Sequence, residues 1–566
     1  MADMTKKDMD QIPASRRGVS RRRLMAVGAG AGALAWLGPK VGWEPDALAA
    51  TPPSKPTGQA IIGFSQEPTV FQPLKLHIEV DEGVYFNLFS TLWRVDPKGN
   101  FVPDLVAEIP SVENGGVSAD GLNWRIKLRD NVKWHDGTPF TAEDVKFNID
   151  LINNPKFAAA RRAGHELVRD IKVVSPTEIT WRMEHAYAPY PSILSWTFLA
   201  PKHLLEKEAD PNNTPSFTAN PVGTGAFKWV ERVPGDHIAL AAYDGFHGDG
   251  PYLERLIFKY IPDMTVLYTQ FQTGEIDYIG IQGITPDHYA EAKDLPDRAV
   301  APVPQPFIEN IAVNTGLPVF QDPAVREALY YAMDKKSIIE QIYYGLPTPI
   351  ESFLPRQSWA FNPDLPAQQY DPEKAKKILD DAGWVPGGDG VRVKNGVRLE
   401  FVNSTTAGNH VREQAQQLLQ QTWQDIGAKM TINNLPPAVM WGDYWMQSKF
   451  ESAMVGIDFM VGPDPDATDF FSSRSIAAKG GGGQNTCQYV NSEVDALLKE
   501  GASTVDVEKR KTAYRKMQEI TRHDLPYLPV FQYAMVQGVK GKLEGFAPNV
   551  NVQENCWNAS TWFWAS

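Results

Sequence analysis

The chain has 566 residues, 43% apolar and 22% charged, values of an ordinary globular protein that exclude a disordered one. That length is well past the size at which one core keeps growing, so two or three domains are expected. An acidic balance, 68 Asp and Glu against 55 Lys and Arg, argues against nucleic acid or an anionic membrane as partner.

The first fifty residues differ from the rest. A polar head with Arg16 and Arg17 leads into Ser20-Arg21-Arg22-Arg23-Leu24-Met25. After it comes VGAGAGALAWLG, too short and too Gly-rich for a comfortable membrane span. Paired arginines followed by Leu-Met resemble a twin-arginine export signal, and Ala47-Leu48-Ala49 offers a small-x-small cleavage point. Residues 1–49 are therefore expected to be an export signal, a basic disordered tail being the plainer alternative. Removing them takes away eight Lys or Arg and five Asp or Glu, leaving a net charge near −16. No Cys stands at the cleavage point to take a lipid, and no later apolar run is long enough to span a bilayer. A soluble periplasmic protein is expected.

Beyond a Pro-rich linker at 50–57, Ile61 to Phe64 predicts a first strand, which Glu67-Pro68-Thr69-Val70-Phe71-Gln72-Pro73 leaves as a loop. The stretch from Tyr85 to Asn154 is the most legible. Trp124, Ile126 and Leu128 alternate with Arg125, Lys127 and Arg129, the period of a strand with one buried face. His135 to Pro139 supplies a turn, and the Thr141 hydroxyl, three residues before Asp144, is placed to cap a helix. Glu178 to Met183 and Leu256 to Tyr260 predict further strands, and Thr265 to Gln272 a helix stopped by Gly274. Asp322-Pro323 and Asp371-Pro372 each place an N-cap and a first-turn Pro before one apolar helical face. Val411 to Ile426, Ser492 to Leu498 and Val507 to Thr521 read as amphipathic helices whose Gln, Lys and Arg faces are solvated. This alternation argues for α/β lobes.

Catalytic constellations are nearly absent: no His-Glu-x-x-His, no Gly-x-Ser-x-Gly, no Walker loop, no Cys-x-x-Cys. Asp464, Asp466 and Asp469 invite a calcium reading, but Pro465 interrupts them and an Asp-Pro turn is the default. Asn220 to Gly225 reads as a sharp crossover, and without a following Gly-Lys-Ser/Thr a phosphate loop is disfavoured. Cys487 and Cys556 stand as a disulfide or as two separate thiols. The aromatic end, with Trp557, Trp562, Phe563 and Trp564, reads as packing of a last strand or as a cleft wall.

The segments LWRVDPKGNFVPDL, WRIKLRDNVKWHDGTPFTAEDVKFN and NPVGTGAFK, in this order, resemble the family-5 extracellular solute-binding proteins of ABC importers, the oligopeptide-, dipeptide- and nickel-binding group. The resemblance implies a two-lobed α/β fold of the Venus-flytrap type with an additional small domain. On that pattern lobe I is 58–90 with 222–316 and 535–566, the small domain 91–221 and lobe II 317–534. It implies a monomer that binds solute in the cleft and hands it to a membrane permease, with no cofactor, no resident metal and no catalysis.

The same resemblance brings the loop with Glu67 and Phe71 to the cleft mouth; Tyr85 and Trp557, the latter from the aromatic end, are further candidate ligand contacts. The segment Gly456-Ile457-Asp458-Phe459-Met460 looks like the family's G-W-x-x-D stretch, whose Asp pairs with a peptide α-ammonium. Here Ile457 replaces the Trp and Met460 stands where that Asp would be. Asp458, two residues earlier, shares a strand face with Met460 and can serve instead. Tyr489, in QNTCQY, resembles a loop residue that closes on the ligand. The expected solute is a peptide or peptide-like molecule. An opine, an oligosaccharide or a metal chelate is the alternative that Met460 motivates, and a hydrolase built on Asp464 and Asp466 is a third reading, disfavoured by their lack of separation.

Overall fold

A computed structural model describes residues 51–565 except 76, 437, 438 and 553, and the backbone alone at 281 and 282. The expected export signal lies outside the described residues.

The main sheet begins with β1 (Gln59–Phe64), whose Ala60, Ile62 and Phe64 are fully buried. It pairs in parallel with Arg255–Tyr260 on one side and Tyr278–Ile284 on the other. Beyond Arg255–Tyr260 the sheet ends in His237–Ala242 and Phe227–Val233; beyond Tyr278–Ile284 it runs through Tyr527–Lys540, Arg298–Val313, Ser452–Ile457 and Glu400–Ser404 to Lys429–Ile432. Two long antiparallel strands therefore cross its middle. Arg298 to Pro304 opposes Ala534 to Lys540 beside Tyr278–Ile284, and Ile308 to Ala312 opposes Tyr527 to Gln532 beside Ser452–Ile457. Register breaks between Pro304 and Ile308, where one half of the sheet gives way to the other.

Period-two alternation puts separate cores on the two faces of the second half. Ile311 and Met454 join Leu329, Trp423 and Phe531 on one face; Ile308, Ala312 and Val455 join Phe459, Phe471 and Tyr527 on the other. A third core gathers Leu267, Phe271, Ile279 and Val536. A fourth, drawn from Leu92 to Leu199, lies under a small sheet ordered Asn123–Lys127, Glu178–Met183, Val168–Ser175.

Local signals translate directly. Trp124 and Ile126 are buried while Arg125 and Lys127 are exposed, and Gly137 takes φ +90° in the turn. Helix α2 (Ala142–Asn153) follows, and its entry is held by the Asp144 carboxylate, which accepts the Thr141 N–H at 2.9 Å. That bond is one half of the capping box formed by Thr141 and Asp144. Asp322 and Asp371 accept backbone N–H groups at the starts of Pro323–Tyr331 and Pro372–Asp381. The crossover at Gly223 passes so close to the end of the helix Glu79–Leu88 that a Cβ there would sit 1.8 Å from the Leu88 carbonyl oxygen, so only glycine fits.

One expectation needs correction and two open alternatives are decided. The polar helix faces are not all solvated: Arg412, Gln416, Arg510 and Gln518 are buried, because each meets a buried partner that the linear pattern cannot show. Cys487 and Cys556 are both free and buried; Cys487 belongs to the core of Phe459 and Phe471, whereas Cys556 abuts the Gly83 carbonyl at 3.5 Å. The terminal aromatics pack rather than line a cleft, Trp562 lying 5.4 Å from Tyr278 and 5.8 Å from Phe546 between ring centres.

Arg412 and Glu309 form the most enclosed ion pair of the second half, bidentate at 2.9 Å, with Tyr533 hydrogen-bonded to both. Removing one charge strands the other, so Arg412→Met is expected to destabilise that half by about 3–5 kcal/mol, and Arg412→Met with Glu309→Met by much less. Chemical denaturation followed by Trp fluorescence measures both.

Candidate functional site

Helix α1 (Glu79–Leu88) is buried along nearly its whole length. Its Asp81 accepts the N–H groups of Thr69, Val70 and Ile78 at 2.7–3.1 Å, tying the 67–73 loop over the helix start. One residue on, Glu82 faces a cavity of about 230 Å³. The cavity walls come from three places. His77 and Glu82 lie on the α1 side. Arg161, His165 and Trp196 come from the region of the small sheet, and Asp458, Met460 and Gly462 from the segment after Ser452–Ile457. Pro306, within the register break, adds to the wall.

Two acids face this space without a matched cation. Asp458 has a single hydrogen bond, from the Met460 N–H to Oδ1 at 3.0 Å. Burial pushes its pKa up to about 7, against that hydrogen bond and the pull of Arg161. Glu82 is 6% exposed. Its Oε1 lies 3.4 Å from His77 Nε2 and its Oε2 is enclosed without a hydrogen-bond partner. Burial raises its pKa too, although His77 opposes the shift. For His77, burial works against the charged form, but Glu82, the Lys75 carbonyl and Asp81 outweigh it and the pKa is raised.

Behind them stand Glu79, raised well above the usual range by burial, Glu554 and Glu82, and Glu554, pushed to about 7 by burial. His165 is driven to about 3 by burial and Arg161, so its imidazole is neutral. Arg161 itself is exposed and has no ion pair among the described residues.

A seam borders the cavity. The Ala188 N–H donates to the Ala502 carbonyl at 2.7 Å, and Tyr187 donates to Asp466 Oδ2 at 3.3 Å. A Cβ on Gly462 would sit 2.6 Å from the Trp196 indole nitrogen. Asp464 is engaged by Arg510 at 2.7 Å and Asp466 by Thr468 at 2.6 Å, so these acids hold the turn and the seam. A larger groove, about 530 Å³, lies on the small sheet, but its Arg125 and Arg182 already pair with Glu178 and Asp170 and only one core borders it.

Of the residues singled out in the sequence, the structure brings Asp458 and Met460 to the cavity together. Ile457 and Phe459 alternate to the opposite side, into the core. Glu67 pairs with Arg232 at 2.5 Å, and Phe71 lies against Trp229 and under that same arginine. Tyr85 donates to the Val70 carbonyl at 2.7 Å, Tyr489 to Asp524 at 2.5 Å, and the Trp557 indole to the Ala547 carbonyl at 2.9 Å. These five serve packing and loop anchoring, and none borders the cavity. Glu82, His77, Arg161, His165 and Trp196 were missed. Only Glu82 left a trace, three residues after Glu79 on one face of a helix otherwise fit for the interior.

The match to the model of the bacterial extracellular solute-binding proteins, family 5, spans residues 100–479, and the chain belongs to that family. Among its relatives it is 27% identical over 524 residues to the oligopeptide-binding protein AppA of Bacillus subtilis, covering 90% of this chain and 92% of that one. It is 29% identical over 500 residues to the nickel-binding periplasmic protein of Escherichia coli, covering 83% and 89%. In structure it is similar to NikZ from Campylobacter jejuni in complex with Ni(L-His), with a TM-score of 0.78 at 27% identity over 90% of this chain and 99% of that one. Among the described residues no helix is long and apolar enough to cross a membrane, and no group of three or more His, Cys, Asp or Glu can hold a metal ion.

A carboxyl that folding holds protonated costs stability once the pH forces its ionisation. For Asp458 the cost is absent below the unfolded pKa near 4, grows with rising pH and is complete above about 7. Asp458→Asn is therefore expected to match the parent at pH 4 and to exceed it by roughly 2–4 kcal/mol at pH 8. Melting midpoints of both proteins across that range check the sign.

Proposed function

We propose that the protein is the periplasmic substrate-binding component of an ABC importer and captures a small peptide or peptide-like solute in this cavity. The main support is that one enclosed space is walled by Glu82, Arg161 and Asp458, drawn from three separate parts of the fold and carrying both signs of charge. An α-ammonium at Asp458 and a carboxylate at Arg161 would fix such a zwitterion, charge-assisted hydrogen bonds being stronger than neutral ones. At about 230 Å³ the space is below the 300–1,000 Å³ of sites for drug-sized ligands, which favours a dipeptide over a long peptide.

In this reading 91–221 is the small domain, 317–534 is lobe II and the remainder forms lobe I. The lobes hinge at the register break of the long strands, and the Tyr187–Asp466 seam closes over bound solute. The closed form is what a permease recognises, and no covalent step is needed. Residues 1–49 direct export by the twin-arginine route, and the mature protein works as a monomer. The departure at Met460 keeps a non-peptide solute, such as an opine, an oligosaccharide or a metal chelate, as the second reading.

Thermal melting against dipeptides and their N-acetyl forms tests the proposal. Free dipeptides are expected to raise the melting midpoint with concentration, as linkage requires, and to be recovered unchanged by mass spectrometry. N-acetylation is expected to weaken binding roughly tenfold or more in the parent and little in Asp458→Asn. No shift with any peptide, or hydrolysis of one, overturns the reading.

A further inference from the structure

We propose that Glu82 gives the cavity a second cation subsite, so that the solute it selects is a short peptide-like molecule with a basic side chain, whose ammonium or guanidinium docks on Glu82. This rests on the peptide-like reading above and adds the side-chain class to it.

The geometry points to a missing positive partner. Asp81, the neighbouring acid, is saturated by three backbone N–H groups. Glu82 is not: Oε2 is enclosed and partnerless, and Oε1 has only His77 at 3.4 Å. A buried carboxylate oxygen left without a donor is costly, so a position of this kind persists where a ligand completes it.

The groups around it are acidic in excess. Asp458 faces Glu82 across the cavity, Glu79 presents a buried Oε1 without a partner, and Glu554 accepts from Tyr278 at 2.7 Å while its Oε2 has none. Against these four acids stand His77 and the Arg161 guanidinium, with His165 neutral. A neutral side chain would leave the Glu82 Oε2 without a donor and an acidic one would be repelled. A basic one supplies the donor, while Asp458 and Arg161 remain for the main-chain ends.

Titration runs the same way. Glu82 and Asp458 hold protons more readily than ordinary carboxyls, and His77, when protonated, competes for Glu82. Cation binding therefore releases protons, and affinity rises with pH through about 7.

Calorimetric titration of the mature protein with Ala-Lys and with Ala-norleucine, equal in chain length but uncharged at the tip, tests the subsite at pH 6 and 8. In the parent, Ala-Lys is expected to bind roughly ten- to a hundredfold more tightly, more so at pH 8, with proton release seen as buffer-dependent heat. Glu82→Gln is expected to abolish that preference by weakening Ala-Lys far more than Ala-norleucine; Glu82→Asp, which keeps the charge, is expected to retain part of it. A purely structural role would alter both ligands alike. Equal affinity of the parent for the two peptides, or a preference that survives Glu82→Gln, overturns the subsite and leaves peptide capture standing. Binding of neither peptide overturns both readings.

Discussion

The antiparallel pairing of Arg298–Val313 with Tyr527–Lys540 is the connection on which the rest depends. A single ladder of backbone hydrogen bonds runs through both halves of the main sheet, so side chains at its two ends are held in one frame. The ladder shifts register between Pro304 and Ile308 and again between Glu309 and Asn310, and Pro306 from the first shift forms part of the cavity wall. Irregular pairing lowers the resistance of a sheet to bending, so the weakest point of the frame and the ligand space coincide. The buried Glu309–Arg412 pair sits just beyond the break and stiffens the second half.

Buried acids in this protein fall into two kinds, and the contrast locates the site. Asp81 and Asp144 accept backbone N–H groups at helix starts, Asp464 meets Arg510, and Glu309 meets Arg412 and Tyr533. Each is removed from water and each is compensated, as an interior charge must be. Glu82 and Asp458 are removed from water and only partly compensated, Glu82 by His77 at 3.4 Å with its Oε2 left without a partner and Asp458 by one backbone N–H. Family membership supplies the general role of solute binding, while the chemistry of the solute is argued from this local imbalance. The relatives bear out the need for that separation, since one is named for oligopeptides and another for nickel on a shared fold.

Much of the fold was legible because its signals are local. The alternation at Trp124 and Ile126, the turn at Gly137, the Asp-Pro helix starts and the glycine stop at Gly274 each depend on a few neighbouring residues. The candidate site was legible only at Asp458 and Met460, through the motif surrounding them. Phe71, Tyr85, Tyr489 and Trp557 are aromatic or amphipathic in ways that suit a ligand and a core equally, and the chain uses them to anchor loops and cores. The solvated reading of Arg412 and Arg510 failed for a related reason: a charged residue on an amphipathic helix looks exposed until the acid that receives it is known.

The sequence alone determined the α/β class, much of the order of strands and helices, the family and the acidic, aromatic make-up of the chain, because periodicity, turn chemistry and linear motifs are properties of short segments. Only the tertiary structure decided that Glu82, from the start of the chain, shares a cavity with Arg161 and Asp458, and that Cys487 and Cys556 do not meet. Such convergence follows from how long strands and separate cores pack, and the desolvation that singles out these carboxylates exists only once the chain has closed around them.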